Sequence, residues 1–158
     1  MDSAAETNFR PATETDATSL LDLEARFFAG EGYPFDRSEA RAAIIRLLRE
    51  PERGRIWVAI HEERLAGYLI LTFGYSIEFH GIDALVDELY LEPEVRDRGL
   101  GKKALALAEA ACVELGIRSL HLEVERGKAA AQELYRKCGF KDHGRYLMTK
   151  LLPIKQDV

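Results

Sequence analysis

At 158 residues the chain has the length of one domain with a sizeable core, and its 47% hydrophobic and 31% charged residues are those of a globular protein rather than a disordered or fibrous one. The 22 Lys and Arg against 27 Asp and Glu leave a net charge of −5, which argues against a nucleic-acid partner. No long uncharged apolar run or N-terminal signal pattern occurs, so no membrane association is expected; Cys112 and Cys138, without CxxC or zinc spacing, read as reduced thiols of a cytoplasmic protein.

Residues 1–8 read as a loose N-terminal tail and Phe9–Thr13 as a short first strand. Asp16 stands where it would cap a helix from Ala17 to about Ala29, with Leu20, Leu23, Phe27 and Phe28 on one face. GEGYP breaks that helix, and Ser38 is expected to cap a second one that carries Ile44, Ile45, Leu47 and Leu48 and stops before Pro51. Arg55–Ile60 and Leu65–Phe73 flank HEER as an antiparallel hairpin, the second run so apolar that both its faces must be covered. Ala84–Leu91 is the next strand. A glycine-containing loop then leads into a helix from about Lys102 to Leu115, ended by Gly116. Arg118–Val124 alternates as a strand, KAAAQELYRKC is a helix ended by Gly139, and GRYLMTKLL is a final strand. The order β-α-α-β-β-β-α-β-α-β describes a single α/β domain over 1–158, without repeat or linker: a mixed, mostly antiparallel central sheet with helices on both faces.

The loop before the third helix carries the chemistry. Gly99-Leu100-Gly101-Lys102-Lys103-Ala104 fits the dinucleotide pattern G-x-G-x-x-A, but that site needs its glycines at the end of a strand, and Glu92 to Arg98 intervene here. A Walker A loop is excluded because Lys103 stands where Ser or Thr is required. A two-glycine loop opening a helix is nonetheless suited to an anion. Unpaired N–H groups and the positive end of the helix dipole face it, and glycine lets the backbone come close. Arg96, Arg98, Lys102 and Lys103 add positive charge around it.

Arg96-Asp97-Arg98-Gly99-Leu100-Gly101 matches R/Q-x-x-G-x-G/A and resembles the acetyl-CoA-binding motif of the GNAT family of N-acetyltransferases. Ala129–Phe140, with Leu134-Tyr135 and Gly139-Phe140, is similar to the family's late A…LY…GF motif at the family's spacing, and the upstream element order agrees. The resemblance implies a GNAT fold and direct acetyl transfer from acetyl-CoA to a primary amine of a small molecule or peptide, and it allows a homodimer. It implies pyrophosphate contacts from Arg96, Asp97, Arg98, Gly99, Leu100, Gly101, Lys102 and Lys103, and backbone pairing of the pantetheine arm along Leu89, Tyr90 and Leu91, with the Leu89 N–H polarising the thioester carbonyl. At the position of Lys128 many members carry an Asn that touches the cofactor, so Lys128 either replaces that contact or marks its loss.

Acetyl transfer also needs an acid and a base. Tyr135 matches the family's tyrosine, which protonates the leaving thiolate. A phenol near ~10 donating to a thiolate near ~8.5 costs only about 2 kcal/mol. The ammonium, near ~10.4, needs a carboxylate or a water chain. Two candidates stand open: Glu88, immediately before Leu89, and Glu123, whose spacing to Tyr135 resembles that of the ribosomal-protein alanine acetyltransferase subgroup. For the acceptor, the resemblance points to the early helices and the loop between the third and fourth strands. There Phe28, Tyr33, Phe35, Tyr75 and Phe79 offer walls, and Glu31, Glu78, Asp83 and Asp87 offer charge for a cation. His61, His80, His121 and His143 are scattered and no metal is expected. A non-catalytic acyl-CoA sensor is the competing reading, with a nicotinamide-dependent enzyme behind it.

Overall fold

A computed structural model describes residues 6–154. The elements are β1 (Asn8–Pro11), α1 (Ala17–Glu31), α2 (Arg37–Arg49), β2 (Gly54–His61), β3 (Arg64–Ser76), β4 (Gly81–Leu91), α3 (Leu100–Glu114), β5 (Ser119–Leu122) and α4 (Ala129–Lys137). The strands lie in one sheet in chain order, β1 to β4 antiparallel and β5 parallel to β4. The expected mixed, mostly antiparallel sheet is present.

Strand alternation builds the two layers. Ile56, Val58, Tyr68 and Ile70 turn to one face, against Leu20, Leu21 and Leu23 of α1 and Ile44 of α2. Trp57, Leu69 and Leu71 turn to the other, against Ala104, Ala108 and Cys112 of α3. Strand β3 is therefore buried on both faces from Ala66 to Leu71, as its unbroken apolar run requires. Each fully buried leucine there contributes about 1.5–3 kcal/mol.

The ends of elements differ from the sequence reading in instructive ways. Helix α1 begins at Ala17, but Asp16 does not cap it. Its carboxylate accepts the Thr13 N–H at 2.8 Å and holds Arg10 through two 2.8 Å bonds, tying the helix entry to β1. Asp36, not Ser38, caps α2, accepting the Glu39 N–H at 3.0 Å. Two residues of the tail expected over residues 1–8 are instead part of the fold: Thr7 is buried with its hydroxyl 3.0 Å from His61 Nδ1, and Asn8 opens β1. Residues 1–5 lie outside the described residues.

The expected last strand, Gly144–Leu152, does not form. Arg145 is held by Glu78 through two 2.9 Å bonds, and the Arg126 guanidinium lies 4.3 Å from the Tyr146 ring centre. The apolar side chains that follow, from Leu147 to Ile154, are exposed. Apolar β-formers make a strand only beside another backbone, and among the described residues no strand pairs with the outer edge of β5.

Two irregularities in the sheet prepare the site. The β3–β4 register slips between Ile70↔Glu88 and Leu71↔Val86, leaving Asp87 as the extra residue of a bulge. Strand β5 follows β4 only from Asp83↔Ser119 to Val86↔Leu122. From Asp87 to Leu91, β4 therefore keeps β3 on one side and, among the described residues, has no strand on the other.

Gly67, opposite Leu91, leaves no room for a side chain: a Cβ there would stand 2.6 Å from the Tyr90 carbonyl oxygen and 2.7 Å from Leu91 Cδ2. Gly30, in α1, has open space around it. In urea unfolding, Gly67→Ala is expected to cost about 1–3 kcal/mol through overpacking. Gly30→Ala is expected to add about 0.5–1 kcal/mol through helix propensity and the unfolded state.

Candidate active site

The site grows from the free edge of β4. Successive peptide groups of a strand point to opposite sides, so between Asp87 and Leu91 some N–H and C=O groups face the opening rather than β3. An extended chain segment can pair with them as an added strand. Leu89, Tyr90 and Leu91, the residues expected to do this, all lie in the stretch that β5 leaves uncovered.

After Leu91 the chain turns sharply. Glu92 is buried, ion-paired with Arg26, and 3.3 Å from the Tyr90 hydroxyl, which fixes the exit of the strand. The Arg96 guanidinium folds back, donating to the Leu91 carbonyl at 2.7 Å and lying over the Tyr90 ring. Asp97 and Gly99 both take left-handed backbone angles, at φ 58° and 73°, and this brings the chain into α3 at Leu100. The helix has no side-chain cap. Lys103 N–H is the first to bond within the helix, to the Gly99 carbonyl, so those of Leu100, Gly101 and Lys102 belong to the open first turn. A Cβ on Gly99 would meet nothing within 4 Å, and one on Gly101 only Leu134 Cδ2 at 3.4 Å. Among the described residues, the space beside Gly99 at this helix start is open. It is a cradle with free donors and a positive dipole, which fits the pyrophosphate of a nucleotide cofactor.

The surrounding cations divide into two groups. Among the described residues, Arg98 and Lys102 are exposed and form no ion pair. Lys103 reaches instead to the Thr7 carbonyl at 3.2 Å, and Lys128 to Glu31 through two 2.7 Å bonds. The Lys128–Glu31 pair, with Tyr33 donating to Glu125 at 2.9 Å, straps the segment after β5 to the end of α1 and draws it away from β4. Helix α4 then runs from this strap towards the start of α3, where Leu134 nears Gly101. Tyr135, next along, is half-buried. Desolvation holds its hydroxyl above the ordinary phenol range, against the opposing charge of Lys128. Glu123 is exposed just past the end of β5.

The α1 side of the opening is acidic. Glu88 accepts from the Tyr68 hydroxyl at 2.8 Å, and burial pushes its carboxyl up to about 7, with Tyr68 pulling down and the charges of Glu24 and Asp87 adding to the rise. Asp87, on the bulge, is also raised by desolvation. Of the acids expected to draw a cation, Glu31 is taken by Lys128, Glu78 by Arg145, and Asp83 lies 3.5 Å from His121. Phe28, Tyr33 and Phe35 do gather, with ring centres 5.5–6.1 Å apart. Tyr75 is exposed, and Phe79 packs on His121.

The model of the acetyltransferase (GNAT) family matches residues 17–140, which include the whole of this site. The chain belongs to the GNAT acetyltransferase family. An integron cassette protein from the mobile metagenome of Cole Harbour Salt Marsh shares 31% identity, with 93% of this chain and 91% of that one superposed at a TM-score of 0.83. A predicted acetyltransferase with acetyl-CoA from Clostridium acetobutylicum has the same fold at 19% identity, covering 92% and 96% of the two chains at a TM-score of 0.78. The thialysine N-epsilon-acetyltransferase of Bos taurus is 28% identical over 78 residues, 49% of this chain and 45% of that protein, so the match spans less than half of that relative's length.

Two residues of this GNAT site escaped the sequence reading. Tyr68 sits in the apolar run of β3 and looks like core, and only the register Tyr68↔Tyr90 brings its hydroxyl to Glu88. Glu24 had left a signal: it occupies an i+4 position in the stripe Leu20, Leu23, Phe27, where an apolar residue is expected.

Because the Tyr68 hydroxyl stabilises the ionised form of Glu88, Tyr68→Phe is expected to move the Glu88 titration midpoint above its present value of about 7. NMR of the Glu88 side-chain carboxyl against pH measures this directly; a midpoint that stays or falls contradicts the assignment.

Proposed function

We propose that the chain is an acetyl-CoA-dependent N-acetyltransferase that moves an acetyl group directly to a primary amine of a small molecule or peptide. The observation that carries this reading is the opening in the sheet beside β4. It has an uncapped helix start on the α3 side and an elevated carboxylate, Glu88, on the α1 side. Family membership supports the acetyl donor.

Acetyl-CoA supplies an activated acyl carbon and a thiolate leaving group. The first-turn N–H groups of α3, with Gly99 for close approach and Arg98 and Lys102 for charge, are the residues that would hold its phosphates. Arg96 and Asp97 shape the loop. Leu100 anchors it, buried with Val95 and Ala66. Lys103 and Lys128 contribute by tying the site to Thr7 and Glu31. Free backbone groups at Leu89–Leu91 would pair with the extended arm, and an N–H there, that of Leu89 in this reading, would meet the negative charge that develops on the acyl oxygen.

Glu88 is the base in this reading. Transfer of a proton from an ammonium near ~10.4 to an ordinary carboxylate near ~4.3 is uphill by about 8 kcal/mol. With Glu88 at about 7 the cost falls to about 5 kcal/mol. The freed amine forms the new C–N bond as the C–S bond breaks, Tyr135 gives its proton to the departing sulfur, and the second proton shed by the nitrogen as it becomes an amide restores the Tyr135 phenol through solvent. Burial keeps that hydroxyl protonated at neutral pH. Glu123 is the weaker candidate because it lies exposed past the end of β5. The protein's cytoplasmic setting belongs to this same reading; among the described residues no helix is long and apolar enough to cross a membrane. A homodimer accords with the exposed Tyr146, Leu147, Met148, Leu151 and Leu152.

Thiol release from acetyl-CoA is expected to depend on added amine. Tight acetyl-CoA binding without transfer to any amine would favour the sensor instead. Glu88 must be ionised to accept a proton, so kcat/KM should rise with pH through about 7. Glu88→Gln should remove that limb and lower kcat by about 10²–10⁴-fold, while Glu123→Gln stays within about threefold. Tyr135→Phe should lower kcat by at least about 10-fold with KM for acetyl-CoA unchanged; full turnover would remove Tyr135 from the mechanism.

A further inference from the structure

Glu24 is the least satisfied group in the described protein. It lies on the face of α1 that packs on the sheet, between Leu20, Leu23 and Phe27, and is 9% exposed. Its Oε2 is fully buried without a hydrogen-bond partner. Leaving such an oxygen without a donor is costly, and native proteins keep such a cost where something else is gained.

Its surroundings say what would satisfy it. Burial and the charge of Asp87 raise its carboxyl, and its own charge raises Tyr68 and Glu88. Glu24, Asp87 and Glu88 therefore share one neighbourhood on the α1 face of the opening, and the bulge that makes Asp87 an extra residue sets two consecutive carboxylates there. Neighbouring acids have cations: Glu92 has Arg26, Asp22 has Arg37, Glu31 has Lys128. Among the described residues these three have none, and no group of three acidic, His or Cys side chains is arranged to hold a metal ion. Three carboxylates in one neighbourhood without a cation match a ligand carrying more than one positive charge.

We propose that Glu24 is the acceptor-binding carboxylate of this site, and that the acceptor is a di- or polyamine whose second ammonium pairs with Glu24 while the reacting nitrogen meets Glu88. This rests on the N-acetyltransferase reading and adds to it a residue and a substrate class. Binding such an acceptor gives Oε2 a donor and drives Glu24 to its ionised form. A monoamine leaves Glu24 as it is.

The test compares wild type and Glu24→Gln on linear α,ω-diamines and the matching monoamines, from propane to octane. It combines thiol release with titration calorimetry in the presence of CoA. For the best diamine, wild type should show a kcat/KM at least about 10-fold above its monoamine, the worth of one charged hydrogen bond. Glu24→Gln should abolish that preference by raising KM for the diamine relative to the monoamine, and melt no lower than wild type, since a buried unpartnered carboxylate has been removed. Equal use of both amines by wild type, a preference that survives in Glu24→Gln, or equal loss on both amines would each overturn the proposal. If no amine is acetylated, calorimetry decides. Tighter diamine binding that Glu24→Gln abolishes upholds Glu24 and removes the catalytic reading; no difference removes the proposal.

Discussion

The structure turns on the parting of β4 from β5. The two strands run together only as far as Val86 and Leu122, and from there β4 carries an unshared edge. An exposed edge is a liability that proteins usually cover. Here it lies between two helical layers, and the elements around it hold it open. The Lys128–Glu31 and Tyr33–Glu125 contacts draw the chain after β5 towards α1, while Arg96 and Glu92 clamp the end of β4 before it turns into α3. The expected last strand, which would have extended the sheet past β5, is held aside through Arg145 and Tyr146.

That opening joins two environments of opposite sign. On the α3 side lie an uncapped helix start and Arg98 and Lys102, which pair with no acid among the described residues. On the α1 side lie Glu24, Asp87 and Glu88, which pair with no cation among the described residues. In the proposed reaction an anionic donor and a cationic acceptor are each attracted to a different face, and they meet only where the sheet is open. Burial does the tuning. It lifts Glu88 to about 7, where it can take a proton from an amine at far lower cost than a surface carboxylate, and Tyr68 limits the rise.

The loop that opens α3 was legible in the sequence because glycine spacing reports backbone geometry: Gly99 is at positive φ and α3 starts directly after it. The strands of the core were legible for a similar reason, since alternation and the unbroken apolar run of β3 each allow one arrangement. What was hidden depends on tertiary register. The bulge at Asp87 and the Tyr68–Glu88 bond arise from which residue of β3 stands opposite which of β4. Asp36 displaced Ser38 as a cap because both are competent and only the entry of the chain chooses between them. The last strand failed because β-forming residues need a partner that composition does not supply.

The central claim is that the free edge of β4 and the first turn of α3 together receive acetyl-CoA. Amide hydrogen exchange with and without acetyl-CoA tests it most directly, reading backbone groups that no side-chain substitution reaches. The account predicts new protection confined mainly to residues 87–91 and 99–103. Protection elsewhere, with both of these stretches exchanging as in the free protein, would contradict it.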